Sequence, residues 1–271
     1  MAKIAVLQMT SGIDPAQNAA TLVNAVADAA RGGAAMLFTP EMSGLIDRDR
    51  KRAAHNIVAE ADDRVLAAVR DAAVTAGIWV ALGSLAIARE DGRWANRAFV
   101  IDAGGNIAAR YDKIHMFDVD LASGEAWRES AAYAAGERAC VVDTPVGRLG
   151  LAICYDIRFP ALFERLGQAG CDVIAIPAAF TVPTGEAHWH LLQRARAVEA
   201  SAWVVSAAQV GKHADGRSTY GHSLVVDPWG EVSLDMGGEA AGLGFAEIDL
   251  ERIATVRRQV PSLANRREIA N

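Results

Sequence analysis

The stretch Leu149–Pro160, with the sequence Leu-Gly-Leu-Ala-Ile-Cys-Tyr-Asp-Ile-Arg-Phe-Pro, has the pattern of a buried strand that runs into a helix. The apolar run ends abruptly at Cys154. A cysteine at such a junction is held rigidly near a helix N-terminus, whose free N–H groups favour anions and lower the pKa of a thiol. A small buried core cysteine is the ordinary alternative. The polar residues Tyr155, Asp156 and Arg158 favour a reactive thiol, and we expect Asp156 and Arg158 to pair and to fix the turn.

The composition excludes several classes of protein. The 271 residues carry a net charge of −6, which gives no electrostatic attraction for nucleic acid. No apolar run approaches the roughly 18 residues of a membrane span, and the chain opens on a predicted strand, Lys3–Gln8, without a signal-peptide pattern. Three cysteines with no C-x-x-C pair indicate neither a disulfide framework nor a zinc site. We therefore expect a cytoplasmic protein with no nucleic-acid or membrane partner.

The order of elements predicts the fold class. Predicted strands alternate with helices in the first half of the chain and with hairpins throughout. This pattern predicts an α/β sandwich of mixed sheets rather than an all-parallel barrel. No linker or low-complexity segment divides residues 1–271, so we predict a single domain. Residues 118–138 and Phe180–Glu186 are predicted to be irregular, and a helix is predicted from about Ala187 to Ala200.

Three chemically useful side chains follow predicted buried strands. Glu41 follows the strand Ala35–Phe38, Lys113 follows the second strand of a hairpin, and Cys154 follows the strand described above. Chemistry in α/β folds is commonly placed at strand ends. A thiol nucleophile needs a base, for which a carboxylate can serve, and a fixed cation can stabilise an oxyanion. On position alone, however, Glu41 is equally consistent with a solvated loop charge, and Lys113 is more typical of a solvated surface charge.

Three motifs in the same order resemble the nitrilase superfamily of carbon–nitrogen hydrolases. They are Thr-Pro-Glu41, Tyr-Asp-Lys113-Ile-His-Met-Phe-Asp and Gly-Leu-Ala-Ile-Cys154-Tyr-Asp-Ile-Arg-Phe-Pro. The resemblance covers nearly the whole chain. It implies an αββα four-layer sandwich of mixed sheets flanked by helices, which pairs with a second sandwich as a homodimer or higher homo-oligomer.

The resemblance also implies the roles of the site residues. It makes Glu41 the general base, Lys113 the oxyanion-stabilising cation and Cys154 the nucleophile. The supporting second glutamate of the family falls on Glu129, with two competitors nearby, Glu125 and Glu137. The loop Leu121–Trp127 lacks the Pro-Gly pair that relatives carry, which affects the pocket wall that this loop would form.

Further motifs resemble the Nit branch of that superfamily. The stretches Phe180–Trp189 and Tyr220–Gly230 carry this likeness, and Ala207–His213 is closer to the deaminated-glutathione amidases than to the ω-amidases. The candidate substrate-binding residues are Tyr155, Arg128, His188, Lys212 and Arg217.

Other histidines have structural interpretations. His188 and His190 lie two residues apart, which places them on different sides of a helix and argues against a metal pair. His115 is expected to be a structural hydrogen-bonding residue, because the base is already assigned to Glu41.

The sequence therefore predicts a cysteine-dependent amidase that works through a thioester and needs neither a metal nor an organic cofactor. Its expected substrate is deaminated glutathione, cleaved to 2-oxoglutarate and cysteinylglycine. The alternatives are an ω-amidase acting on 2-oxo-acid amides, a nitrilase or carbamoylase on the same residues, and a binding protein that has lost turnover. The last is disfavoured, because none of the three catalytic residues is missing.

Overall fold

The computed structural model describes residues 1–122, 124 and 126–267. Its helices are α1 (Pro15–Arg31), α2 (Arg50–Ala53), α3 (Arg64–Ala76), α4 (Pro160–Gln168), α5 (Val182–Ala200) and α6 (Leu250–Gln259). The Asp14 carboxylate accepts a hydrogen bond from Ala16 N at the start of α1, and Pro15 occupies its first turn, as the sequence predicted. In the part of the chain that the structure describes, no helix combines the length and the hydropathy of a membrane span.

The strands of the first half of the chain are β1 (Ala2–Gln8), β2 (Met36–Phe38), β3 (Trp79–Ala88), β4 (Trp94–Ile101), β5 (Ile107–Asp112), β6 (Asp118–Asp120) and β7 (Ala126–Arg128). Those of the second half are β8 (Cys140–Thr144), β9 (Gly147–Leu151), β10 (Val173–Ala175), β11 (Trp203–Ser206), β12 (Val210–Lys212), β13 (Ser218–Tyr220), β14 (Leu224–Val226), β15 (Val232–Asp235) and β16 (Gly242–Ile248).

Two six-stranded sheets form the centre of the molecule. The first has the strand order β16-β1-β2-β3-β4-β5 and the second has the order β15-β14-β11-β10-β9-β8. Both are mixed: β1, β2 and β3 run parallel while β3 and β4 run antiparallel, and β9, β10 and β11 run parallel while β8 and β9 run antiparallel. The predicted mixed α/β architecture is confirmed.

Side-chain alternation along the central strands separates two apolar layers. In β1, Ile4 and Val6 pack into the core that the two sheets share, whereas Ala5 and Leu7 pack against the helices on the outer face. This follows from the two-residue period of a strand that is covered on both faces. Helices α1 and α3 cover the first sheet, and α4 and α5 pack against the second, which gives the four layers αββα.

Two local predictions were wrong. Helix α5 begins at Val182 rather than near Ala187, because Pro183 is accommodated in its first turn instead of marking a loop. Gly185, within this helix, lies against the Tyr220 ring, where a Cβ would come within 2.2 Å of Tyr220 Cγ. The predicted irregular segment 118–138 contains the short hairpin β6–β7.

Candidate active site

The structure brings Glu41, Lys113 and Cys154 together with Glu129 at one end of the two sheets. Glu41 follows β2, Lys113 directly follows β5, and Cys154 lies just beyond β9. Because these strands carry the apolar core, the side chains that follow them are fixed by the most rigid part of the fold. All four side chains line a cavity of about 480 Å³.

Lys113 lies between the two carboxylates. Its Nζ is 3.0 Å from Glu41 Oε1 and 2.9 Å from Glu129 Oε2, and the lysine is 2% exposed. Burial by itself lowers the pKa of this ammonium group, but the charges of Glu129 and Glu41 outweigh burial and hold the pKa well above its usual value. The ammonium therefore stays charged and faces the nucleophile as a fixed cation.

Asn96 is a site residue that the sequence analysis missed. Its Nδ2 donates to Glu41 Oε1 at 2.9 Å and to Glu129 Oε1 at 3.1 Å, so one amide orients both carboxylates. The residue is fully buried in β4, and its Oδ1 has no hydrogen-bond partner among the described residues. An asparagine inside an apolar strand is unusual and was the available signal. We call Glu41, Lys113, Glu129 and Cys154 the floor of the cavity; Asn96 holds its two carboxylates without lining the cavity itself.

The backbone fixes the two carboxylates further. Ala179 N donates to Glu41 Oε2 at 2.9 Å, and Phe117 N donates to Glu129 Oε2 at 2.7 Å. The turn before Glu41 lies directly against Gly83 in β3, where a Cβ would come within 2.0 Å of Thr39 O. Only a glycine therefore allows this close approach of the two segments.

Cys154 occupies a strained turn. Its φ is 48°, in the left-handed region that side-chain-bearing residues rarely adopt, and its N–H donates to Pro177 O at 2.9 Å. The Asp156 carboxylate, fully buried, supports the turn from below by accepting hydrogen bonds from Ile153 N at 2.9 Å and from the Tyr111 hydroxyl at 2.7 Å. The thiol is thereby presented to the cavity although the residue is only 8% exposed.

The predicted pair between Asp156 and Arg158 is not formed. Asp156 instead lies 2.7 Å from His115 Nδ1, which agrees with the structural interpretation of His115. Arg158 lies over the rings of Tyr155 and Phe180 at the cavity wall.

The pKa of the Cys154 thiol is raised well above its usual value, so the expectation of a lowered pKa was wrong. Burial is the main cause and the nearby Glu41 carboxylate adds to it, while Lys113 acts in the opposite direction. The segment Cys154–Arg158 is only a five-residue 3₁₀ turn, and α4 begins at Pro160, so Cys154 does not itself start a long helix of the kind that the sequence suggested. The resting cysteine is accordingly a neutral thiol beside a carboxylate that can accept its proton.

The upper part of the cavity is basic and aromatic. We call its arginines Arg48, Arg50, Arg128, Arg158 and Arg217 the rim, since all five line the cavity. Trp127 is enclosed by two of them, with Arg217 at 4.9 Å and Arg48 at 5.8 Å from the ring centroid. Arg217 and Arg128 pair with Asp215 and Asp120, whereas Arg48, Arg50 and Arg158 form no ion pair within residues 1–122, 124 and 126–267.

The structure separates the predicted substrate-binding residues into two groups. Tyr155, Arg128 and Arg217 line the cavity. His188 and Lys212 do not: both are exposed, and His188 Nδ1 lies 3.3 Å from Arg158 Nη1.

Two further findings concern the competitors of Glu129 and two arginines of the rim. Of the two competitors for the second glutamate, Glu137 is exposed and outside the cavity, and Glu125 lies outside the described residues. Arg48 and Arg50 were not predicted as site residues, although they belong to the charged run Asp-Arg-Asp-Arg-Lys-Arg at positions 47–52.

Known proteins resemble this chain over nearly its whole length. The family model described as carbon–nitrogen hydrolase matches residues 3–258. The deaminated glutathione amidase of Yersinia enterocolitica is 38% identical over 273 residues, which cover 100% of this chain and 94% of the relative.

Solved structures of similar fold are known as well. The Caenorhabditis elegans NitFhit protein superposes with a TM-score of 0.90 at 38% identity, covering 98% of this chain and 65% of that one. A variant of the amidase from Nesterenkonia sp. AN1, in which acrylamide has added to the active-site cysteine, superposes with a TM-score of 0.81 at 26% identity, covering 96% of this chain and 98% of that one.

Proposed function

The chain belongs to the carbon–nitrogen hydrolase family, as an amidase of that family, and we propose that it cleaves deaminated glutathione with Cys154 as the nucleophile. The observation that carries the proposal is the floor itself, in which a buried thiol, a carboxylate and an ammonium group lie at the base of one cavity. This set of groups matches what acyl transfer from an amide requires.

In the first half-reaction, Glu41 takes the proton from the Cys154 thiol as the sulfur attacks the amide carbonyl. A new S–C bond forms, and the carbonyl π electrons move onto oxygen. Lys113 Nζ and a backbone N–H beside the cysteine, that of Tyr155, hold this oxyanion. When the tetrahedral intermediate collapses, the C–N bond breaks and Glu41 returns its proton to the leaving amine, which leaves a thioester on Cys154.

In the second half-reaction, Glu41 accepts a proton from a water molecule that attacks the thioester. The S–C bond then breaks, the proton returns to the sulfur, and the free acid leaves. Glu41 therefore serves both half-reactions as the same proton carrier, which suits a carboxylate held by the Ala179 N–H and the Asn96 amide.

Glu129 and Asn96 are positioning residues in this scheme. Glu129 binds Lys113 through both oxygens, at 3.2 and 2.9 Å, and so directs the ammonium toward the carbonyl oxygen rather than toward Glu41 alone. A second carboxylate also keeps the lysine charged when Glu41 is protonated during the reaction, because one negative charge then remains beside it.

The rim supports the choice of substrate. Deaminated glutathione has a 2-oxo acid at one end and a glycine carboxylate at the other, so it presents two anions on either side of the scissile amide. Arginines on several sides of the cavity provide charge-assisted partners for both. A shorter ω-amide such as 2-oxoglutaramate presents only one carboxylate and would use only part of the rim.

The deciding experiment compares these two substrates with the same enzyme. Release of 2-oxoglutarate is followed for both by a coupled dehydrogenase, and cysteinylglycine by mass spectrometry. We expect a higher kcat/KM for deaminated glutathione. An equal or reversed preference would make the protein an ω-amidase, and turnover of a nitrile or an N-carbamoyl amino acid in preference to both would indicate the nitrilase or carbamoylase alternative.

The association state is part of the proposal. The surface near α4 and the C-terminal segment carries exposed apolar side chains, among them Trp229 at 47% and Val260 at 47% exposure. A groove of about 620 Å³ runs between them and is lined by Pro160 and Leu263. An isologous contact of this face in a homodimer would bury it, and light scattering at micromolar concentration should then report at least a dimer. The cytoplasmic location stays a prediction from the sequence.

A further inference from the structure

A second cluster of ionisable side chains lies away from the cavity. It consists of His190, His222 and Asp235, and we call it the histidine–aspartate cluster. His190 Nε2 lies 3.0 Å from Asp235 Oδ2, and His222 Nδ1 lies 2.9 Å from Asp235 Oδ1. One candidate ligand atom from each residue lies within 4.8 Å of the others. None of the three lines the cavity that contains Cys154, so the reaction proposed above does not use them.

Three separate elements supply the cluster. His190 projects from the 19-residue helix α5, Asp235 ends β15, and His222 lies in the turn between β13 and β14. The two histidines are 32 positions apart in the sequence, so the spacing argument against a pair formed by His188 and His190 does not apply to them.

Backbone hydrogen bonds fix the segments that carry the cluster. His222 N donates to Gly237 O at 2.8 Å, and the Trp189 indole donates to His222 O at 2.8 Å, which links α5 to the turn. Gly237 N donates to Asp235 Oδ1 at 2.9 Å. His222 is held at a φ of 53°, a left-handed conformation that directs its ring toward Asp235. The three side chains therefore meet without any rearrangement of the chain.

The position of the carboxylate suits a cation. Asp235 Oδ2 lies 3.0 Å from His190 Nε2, Oδ1 lies 2.9 Å from His222 Nδ1, and Gly237 N also donates to Oδ1. Asp235 thus lies between two imidazoles, each of which offers a ring nitrogen. Two imidazoles and one carboxylate within a few ångströms are ligands that first-row transition metals prefer, whereas Mg²⁺ and Ca²⁺ prefer oxygen ligands.

We infer that the histidine–aspartate cluster binds one divalent transition cation, of the Zn²⁺ or Co²⁺ type, through His190 Nε2, His222 Nδ1 and the Asp235 carboxylate. The ordinary alternative is a hydrogen-bonded latch, in which both rings only donate to Asp235. The hydrogen-bonded state and the metal-bound state differ in the tautomer of each histidine. When the metal binds the ring nitrogen that faces Asp235, the ring proton moves to the other nitrogen of the same imidazole. Binding to neutral histidines therefore needs no net loss of protons. Water completes the coordination shell, because the cluster is partly exposed.

A bound cation would join α5 to the segment that follows β13. Thr219, which precedes His222 by three residues, lines the catalytic cavity, and the Tyr220 ring stacks on His222 at 4.4 Å. Metal binding should therefore stabilise this side of the molecule, since a ligand that binds only the folded state raises the unfolding temperature.

The test uses the full chain with the substitution Cys154→Ala, which removes the reactive thiol as a competing ligand. Co²⁺ is titrated while its visible d–d absorption is recorded, and Zn²⁺ is then added to displace it. We expect one Co²⁺ per chain, no thiolate charge-transfer band, and loss of the cobalt spectrum on addition of Zn²⁺. Zn²⁺ should also raise the thermal unfolding midpoint.

Two ligand variants and one matched control complete the experiment. His222→Asn keeps a residue that tolerates the left-handed conformation, and His190→Ala changes a half-buried helical position. Each should weaken Co²⁺ binding about tenfold or more and abolish the Zn²⁺-dependent rise in midpoint. His188→Ala, two residues away on the same helix and exposed, should bind like the parent. Binding of equal strength in all variants would overturn the inference. So would the absence of a cobalt spectrum at millimolar Co²⁺, which would leave the hydrogen-bonded latch only.

Discussion

The floor of the cavity and its rim differ in how their charged side chains are held. On the floor, Lys113 and Glu41 are 2% and 5% exposed. Lys113 donates to the carboxylates of Glu41 and Glu129, and Glu41 also accepts a hydrogen bond from Ala179 N. On the rim, Arg48, Arg50 and Arg128 are exposed and project from short elements or the segments between them. Reactive groups must be held to within fractions of an ångström, whereas a guanidinium that attracts a carboxylate can approach it from several directions. Substitutions on the floor should therefore lower kcat, and substitutions on the rim should raise KM.

The largest effect is expected at the nucleophile. Cys154→Ala should fold like the parent and hydrolyse no amide, because no other thiol lines the cavity. The measurement is 2-oxoglutarate release, with far-ultraviolet circular dichroism to check the fold. Cys140→Ala is the matched control, since Cys140 is only partly buried and lies in β8, outside the cavity. Loss of turnover in the control with retention in Cys154→Ala would reverse the assignment.

The next largest effect is expected for Lys113→Met. The oxyanion loses its charged partner, and removal of one oxyanion donor typically costs ~10²–10³ in rate. Glu41 and Glu129 would also lose the cation between them, so the variant should be less stable to urea. Single-turnover kinetics should show that the slow step is acylation. A variant with the parental kcat would contradict the role of Lys113 and would leave Cys154 and Glu41 without a cation.

A smaller effect is expected for Asn96→Ala. Its amide makes hydrogen bonds to two carboxylates, and a hydrogen bond to a charged group is worth about 1.5–3 kcal/mol, or roughly 10- to 100-fold in rate. Because Asn96 does not line the cavity, the loss should fall on kcat while KM stays unchanged. Asn106→Ala, in the turn before β5, serves as the control. A rise in KM with an unchanged kcat would place Asn96 in substrate binding and break the distinction between floor and rim.

The rim should respond more weakly and selectively. Arg217→Ala should raise KM for deaminated glutathione about tenfold, the loss of one charge-assisted contact, and leave KM for 2-oxoglutaramate unchanged. Lys212→Ala is the matched control, because this lysine ends β12, the strand before the loop that carries Arg217, is exposed and does not line the cavity. Equal effects of the two substitutions, or equal effects on the two substrates, would show that the rim contributes only a general positive field.

The smallest effect concerns the pH dependence of the thiol. Burial and the Glu41 carboxylate raise the pKa of Cys154, so the rate of inactivation by iodoacetamide should still be rising with pH above the range in which an ordinary thiol is already ionised. Glu41→Gln removes one of the two causes that raise this pKa, so the pH profile of inactivation should move to lower pH in this variant. A profile that is flat from neutral pH upward in the parent would mean that the resting nucleophile is already a thiolate.

The same contrast explains how much could be predicted from the sequence. Glu41, Lys113 and Cys154 each follow an apolar run, so their positions at strand ends could be predicted and the structure brings them together. Asn96 is unusual as a polar residue within a strand, but its role could not be predicted, because the sequence does not show which side chains it faces across the sheets. Arg48 and Arg217 are 169 positions apart, and only the folded chain places both beside Trp127.

The direction in which the pKa of the Cys154 thiol is shifted could not be predicted from the local sequence either. A strand that leads into a helix suggests an electropositive turn, which would lower the pKa of the thiol. The sign of the pKa shift, however, is set by burial and by Glu41, which is 113 positions away in the sequence. The early start of α5 has a different cause: Pro183 and Gly185 favour a loop locally, and the packing of Gly185 against Tyr220 overrides that preference.

Gly83 has a consequence for any survey of this protein by saturation mutagenesis. It has no side chain to touch a substrate, yet an added methyl group would collide with the carbonyl oxygens of Thr39 and Pro40 and displace the segment that presents Glu41. In a screen scored by turnover, every replacement at this position would resemble the loss of a reactive group. A parallel screen scored by protein abundance would separate Gly83 variants from variants of the reactive groups. Cys154 variants should accumulate as folded protein, whereas Gly83 variants should not.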